Sequence, residues 1–167
     1  MNNSQPLFMS LCSPGHKLSL TPLYRYWNPK IVDHFYTANY NELRAGGRSG
    51  WKYEGVQCKI LRNRMPGSVP LYQYGGPNDH FYTTNIYEIG TSTPRVRGKH
   101  GYSSEGITGY CYPTNRPGTI PLYRYFKAHR RDHFYTTNIH EIGTRIKGQV
   151  GRHGYKSEGV ACYVYKK

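Results

Sequence analysis

All nine acidic residues of this 167-residue chain fall at three positions, each occurring three times: Asp33, Glu42, Glu54; Asp79, Glu88, Glu105; Asp132, Glu141, Glu158. The first two members are nine residues apart in every copy, and the second and third are 12, 17 and 17 apart. No carboxylate stands outside the pattern. A unit repeated three times constrains the fold more than any bulk property does. A period of about 50 residues means a stacked or closed array in which each unit completes its core against its neighbours.

Each copy opens on a strand-like run, Pro22-Leu23-Tyr24-Arg25-Tyr26, Pro70-Leu71-Tyr72-Gln73-Tyr74 or Pro121-Leu122-Tyr123-Arg124-Tyr125, with the two tyrosines on one side and Leu and Arg or Gln on the other. A proline suits the first residue of a strand, where no ladder donor is needed. A second aromatic, β-branched run follows: Asp33-His34-Phe35-Tyr36-Thr37, Asp79-His80-Phe81-Tyr82-Thr83 and Asp132-His133-Phe134-Tyr135-Thr136. A short loop such as Gly75-Gly76-Pro77-Asn78 makes the two runs a hairpin.

Asn39, Asn85 and Asn138 each precede a glutamate by three residues, the spacing of a helix N-cap and its reciprocal acid. Gly46, Gly90 and Gly143 then predict helices of about one to two turns. The third block of each copy carries Glu54-Gly55, Glu105-Gly106 or Glu158-Gly159 and runs into an apolar strand, with the glycine expected to bend or bulge the chain. Two near-identical turns, Pro66-Gly67-Ser68-Val69-Pro70 and Pro117-Gly118-Thr119-Ile120-Pro121, join the copies and leave no flexible linker.

The organisation read from these signals is one domain over 1–167, with repeats at 22–69, 70–120 and 121–167. Residues 1–21 are expected to supply a closing strand and turn that pairs with the third repeat and hides an open edge. The fold class is all-β, a pseudo-threefold closed array. A β-trefoil is the preferred closure and a three-bladed β-propeller the alternative.

At these residues the chain resembles the tyrosine-rich His-Phe-Tyr-Thr repeat family of unknown function, on Leu-Tyr-Arg-Tyr, Asp-His-Phe-Tyr-Thr-Thr-Asn and Ser-Glu-Gly recurring in order over about 22–165. The family occurs beside secreted hydrolase and adhesion domains, so the resemblance implies glycan or surface binding and transfers no residue-level role. The first repeat departs from the pattern at Ala38, Ser49 and Tyr53.

Twenty-three Lys and Arg against nine acids give a net charge of +14, a field that draws polyanions. No apolar stretch approaches the roughly 18 residues of a membrane-spanning helix, so a soluble protein is expected. Residues 1–11 lack the pattern of a secretory signal, which predicts a cytoplasmic location or export by an unconventional route. Cys12, Cys58, Cys111 and Cys162 allow two disulfides in three connectivities or four free thiols. Their irregular placement against the repeat favours free, partly buried thiols.

Triplicated motifs produce equivalent sites, whereas catalysis needs a single asymmetric set of groups with distinct pKa values. No nucleophile elbow, zincin motif or phosphate loop occurs, so no catalytic residue, metal or cofactor is expected. Neighbouring Asp and His on a strand point to opposite faces and do not readily grip one ion; structural hydrogen bonding is the favoured reading of that pair.

Equivalent shallow sites suit a multivalent binder. The expected function is lectin-like carbohydrate binding, in host defence or adhesion. Its sites would comprise Asp33, His34, Tyr36 and Asn39; Asp79, His80, Tyr82 and Asn85; Asp132, His133, Tyr135 and Asn138. Glu54, Glu105, Glu158, Arg25 and Arg124 would be secondary contributors, with a structural role for the three glutamates weighed slightly ahead. Glu42, Glu88 and Glu141 are expected to do no more than cap. Expected partners are glycans or glycoproteins, sulfated or other anionic polymers, and a second copy of the chain in a homodimer. The alternatives are a basic polyanion binder, for sulfated glycan or nucleic acid, and a purely structural repeat scaffold.

Overall fold

The computed structural model describes residues 17–45 and 49–167, so the closing strand expected in 1–21 lies for the most part outside the described residues, as do Cys12 and Gly46. Each repeat contributes three strands. They are β1 (Leu20–Asn28), β2 (Asp33–Thr37) and β3 (Lys52–Leu61); β4 (Val69–Gly76), β5 (Asp79–Thr83) and β6 (Ser103–Cys111); β7 (Thr119–Lys127), β8 (Asp132–Thr136) and β9 (Lys156–Tyr165). The protein is all-β, with 3-10 helices of a single turn between strands.

Within a unit the opening strand lies in the middle and pairs antiparallel with both others. Between units the ladder shrinks to isolated pairs at the strand ends, Leu61↔Tyr110, Lys59↔Tyr165 and Tyr112↔Tyr163. These links join all nine strands into one sheet, with β6, β3 and β9 adjacent and β1 branching from β3.

The Glu-Gly signal marks a bulge in every unit. Arg25 pairs with Gly55 and Tyr26 with Tyr53, which leaves Glu54 unopposed, and the same register shift isolates Glu105 and Glu158. Gly55, Gly106 and Gly159 have φ of 102°, 100° and 88°, the left-handed conformation this type of bulge requires. The bulge turns each glutamate out of the ladder and towards the seam with the neighbouring unit.

The predicted helices are shorter than expected. Ile86–Glu88 and Ile139–Glu141 form one 3-10 turn each, while the described residues of the first copy make hydrogen-bonded turns at the same place. The Asn caps form as expected, the side chains of Asn39, Asn85 and Asn138 each accepting a backbone N–H two residues on. The glutamate does not reach back to the cap's own N–H. A threonine intervenes: the N–H of Asn85 donates to Thr83 Oγ1, whose hydroxyl donates to Glu88, with the same chain at Thr37/Glu42 and Thr136/Glu141.

In each unit the Asp-His-Phe-Tyr-Thr strand has a ladder partner on one side alone, so its other edge holds backbone groups that burial would leave unpaired. Side chains from neighbouring units fill that need. The Tyr82 hydroxyl accepts from the Tyr36 N–H at 2.9 Å and donates to the Tyr36 carbonyl at 2.6 Å. Tyr135 does the same for Tyr82 at 2.7 and 2.6 Å. Tyr36 does it for Tyr135 at 2.7 Å in both directions, so the hydrogen bonds return to their start. The three rings meet edge to face at centroid distances of 5.3–5.5 Å. Around them pack Leu23, Ile60, Leu71, Leu122 and Val164.

Cys111 and Cys162 form a disulfide, contrary to the expectation of free thiols. Lateral packing of the third strands brings these two together although they sit at different places in their repeats. Cys58 is free and buried, and burial pushes its thiol up to about 12.

Candidate functional site

The seams between units gather the acids of one copy and the bases of the next. Asp33 accepts the backbone N–H of His80 at 3.0 Å and contacts its Nδ1 at 2.6 Å. Asp79 holds His133 at 2.9 and 2.6 Å, and Asp132 holds His34 at 2.9 and 2.8 Å. The other ring nitrogen faces the bulged glutamate of the histidine's own unit, at 3.6 Å for His34 and Glu54, 3.8 Å for His80 and Glu105, and 3.4 Å for His133 and Glu158. Tyr102 and Tyr155 add hydroxyl donors to Asp79 and Asp132; Trp51 occupies the matching place beside Asp33 and offers no hydroxyl.

Arginine completes two of the three seams. Arg25 donates through Nη1 and Nη2 to both oxygens of Glu141, at 3.0 and 2.9 Å, and its Nε lies 2.8 Å from Glu54 without the alignment of a hydrogen bond. Arg124 makes the same fork on Glu88, at 3.0 and 2.9 Å, while its Nε donates to Glu158 at 2.9 Å. Each guanidinium also lies over a phenylalanine ring of the preceding unit, 5.0 Å from Phe134 and 4.9 Å from Phe81. Glu88 and Glu141 therefore brace the threonines that take the cap N–H and also bind a neighbour's arginine, a role beyond the capping expected of them.

Charge and burial act against each other in these networks. Burial alone would raise Glu88, Glu141 and Glu158, but hydrogen bonds and charge from Arg124, Arg25 and His133 hold them below the usual carboxylate range. Burial would lower His80 and His133, yet their hydrogen bonds to Asp33 and Asp79 leave both raised. Burial keeps Asp33 above the usual carboxylate range although His80 pulls it down. Asp33 meets both the ring and the backbone N–H of His80, and that contact holds the imidazole in its charged form above its ordinary range.

The structure separates the expected sugar-binding residues. Tyr36, Tyr82 and Tyr135 are at most 2% exposed and Asp33, Asp79 and Asp132 at most 1%, because both sets satisfy the inner strand edges; neither is open to a sugar. His34 and His133 are buried and His80 partly exposed, each held between two carboxylates. Asn39, Asn85 and Asn138 are exposed with their side-chain oxygens engaged in capping. Arg25 and Arg124, with Glu54, Glu105 and Glu158, lie together at the seams where solvent reaches. One oxygen from each of Asp33, Asp79 and Asp132 lies within 4.8 Å of the others, the spacing of a three-carboxylate cation site, although these carboxylates already serve His80, His133 and His34.

Among the described residues three clefts open at the seams, two of them larger than the third. One of about 470 Å³ lies between the third and first units and includes Arg25, Trp27, Glu54, Lys127, Phe134 and Tyr155. The other, about 390 Å³ between the first and second, includes Phe35, Glu42, Trp51, Gln73, His80 and Glu105. Trp27, Phe126 and Trp51 are seam aromatics that the sequence reading missed. Their signal is that Trp27 and Phe126 directly follow the Leu-Tyr-Arg-Tyr run, and that Trp51 stands where the other copies have Tyr102 and Tyr155. Among the described residues no helix is long and apolar enough to cross a membrane.

No curated protein and no solved structure gives a significant match to the chain. A family model does match residues 22–165, the span of all three repeats, and the chain belongs to the family described as a domain of unknown function, DUF5648.

Proposed function

We propose that the chain is a non-enzymatic, multivalent carbohydrate-binding protein whose binding surfaces are the arginine-filled seams rather than the buried tyrosines. The observation that carries this reading is the cleft beside Arg25. There Trp27 offers a partly exposed aromatic ring within reach of Arg25, Glu54 and Lys127, charged groups that hydrogen-bond vicinal hydroxyls or an acidic sugar. Arg124, Phe126 and Glu158 repeat the theme at the seam between the second and third units, which gives two related sites and so avidity. A histidine whose two ring nitrogens both face carboxylates is poorly placed to serve as a general base, which argues against an enzyme.

The same reading takes the three units as blades closed around one axis. Hydrogen bonds between the tyrosines that pass through every unit and return support closure. A trefoil barrel needs continuous ladders between neighbouring repeats, whereas among the described residues these units share only single pairs, which favours a small three-bladed propeller.

The polyanion reading has its own support, because among the described residues Arg25 and Arg124 are the only Lys or Arg in ion pairs with carboxylates, which leaves the surface strongly cationic. A glycan array read at low and at high salt decides between them. Binding of neutral or singly charged glycans that persists at high salt, and is lost in Trp27→Ala, supports the lectin. Binding to sulfated chains or nucleic acid alone, abolished by salt, replaces it with the polyanion reading.

A further inference from the structure

Of the three seams, the one between the first and second units lacks the arginine. Gln73 stands where the others have Arg25 and Arg124. Its Nε2 donates to Glu105 Oε2 at 2.7 Å, reproducing the near contact that arginine Nε makes with the bulged glutamate, and its Oε1 accepts from Thr108 at 3.0 Å. The amide ends there. The distant fork is missing, so among the described residues Glu42, the counterpart of Glu88 and Glu141, receives only the Thr37 hydroxyl, at 2.6 Å. Among the described residues no guanidinium lies over the ring of Phe35, the counterpart of Phe81 and Phe134.

A second truncation enlarges the same place. Trp27 and Phe126 pack on His34 and His133 at centroid distances of 4.4 Å, and the matching residue on His80 is Gly75. The His80 side chain is accordingly 21% exposed, against 10% and 8% for its counterparts. Trp51 adds a further aromatic wall, 5.6 Å from Phe35 and 5.9 Å from His80. The result is the cleft of about 390 Å³, lined by two carboxylates and by Phe35, a largely buried ring set out like those of Phe81 and Phe134 where the chain binds its own arginines.

We propose that this cleft is a receptor for an alkylguanidinium cation, the chemistry of an arginine side chain, bound by Glu42 through both η nitrogens and stacked on Phe35. The other two seams are its template. In both, the equivalent glutamate and phenylalanine hold a guanidinium by this fork and this stacking, with the bulged glutamate taking the ε nitrogen. In the open seam Gln73 occupies the ε contact, so an incoming group needs only the fork and the ring. The inference is independent of glycan binding, which belongs to the seams that keep their arginines.

The test is calorimetric and NMR titration of the full chain with N-acetyl-L-arginine amide, its neutral isostere N-acetyl-L-citrulline amide, and N-acetyl-L-lysine amide. The expected result is saturable binding of the arginine compound with a dissociation constant of about 1 mM or tighter, since so small a ligand makes few contacts. Citrulline should bind at least about tenfold more weakly, and lysine, which lacks the planar fork, should also be weaker. Gln73→Arg should abolish binding by supplying the guanidinium from within while leaving the melting temperature at or above wild type. Glu42→Gln should weaken binding without unfolding the protein. Agmatine and the peptide Gly-Arg-Gly separate the sources: tighter binding of agmatine favours a free guanidino compound, and tighter binding of the peptide favours a polypeptide partner. Absence of binding by wild type, equal binding of citrulline, or undiminished binding in a folded Gln73→Arg variant would overturn the proposal. None of these results bears on the Trp27→Ala test of the lectin.

Discussion

Replacing Tyr82 by Phe removes one oxygen from a fully packed ring and tests why three edge strands can meet at all. That hydroxyl serves two backbone groups of Tyr36, accepting its N–H at 2.9 Å and donating to its carbonyl at 2.6 Å. No solvent reaches them, since Tyr36 is 1% exposed. A buried polar group left unpaired costs about 1–3 kcal/mol, so two of them put the loss at about 2–6 kcal/mol, with little added from a cavity one atom in size. For a chain of this length each kcal/mol corresponds to about 2–4 °C of melting temperature, which predicts a fall of about 4–24 °C by calorimetry. Tyr36→Phe and Tyr135→Phe should match it, because each hydroxyl serves the next strand in the same way. A loss under about 0.5 kcal/mol in all three variants would mean that the hydroxyls do not replace a ladder, and the account of the inner edges would fail.

Arg124→Gln should convert a filled seam towards the open one, costing about 1–3 kcal/mol because Glu88 and Glu158 lose a partly buried partner, and it is checked by urea unfolding. Stability should plateau between pH values of about 4.5 and 6.5. Glu88, Glu141 and Glu158, held below 4.5, contribute fully above that value and lose their contribution as pH falls through their folded values. His80 and His133, held above 6.5, contribute fully below it and lose their contribution as pH rises through theirs; Asp33, raised by burial, opposes the acid limb. Unfolding midpoints that climb steadily to pH 8 would contradict this. Cys58 should resist alkylation in the native protein and react once it unfolds. Reducing the Cys111–Cys162 disulfide, which spans 51 residues, should cost about 4 kcal/mol by loop entropy, read from unfolding with and without reductant.

Features fixed by neighbours in sequence were legible in advance. Strand alternation at Tyr24 and Tyr26, the bulge at Glu54-Gly55 and the caps at Asn85 and Asn138 depend on φ preferences and contacts within a few residues. The partners of Asp33 and Tyr36 were not. An exposed tyrosine on a platform and a buried one serving another strand's backbone share the same strand spacing, and the choice depends on residues 46 to 99 positions away. The disulfide escaped for the same reason, since the third strands place Cys111 beside Cys162 by lateral packing that no repeat register encodes.

The sequence by itself determined three copies of one all-β unit and a surplus of positive charge, because repetition and composition are properties of the chain alone. Only the tertiary structure decided what the nine carboxylates do. Three tie histidines across the seams, and the other six line those seams, where two arginines complete the pattern and Gln73 leaves it open. The Arg-to-Gln difference is visible in the letters. Its meaning is not, because a guanidinium's place is defined by a glutamate and a phenylalanine that belong to another unit and meet it only when the chain folds.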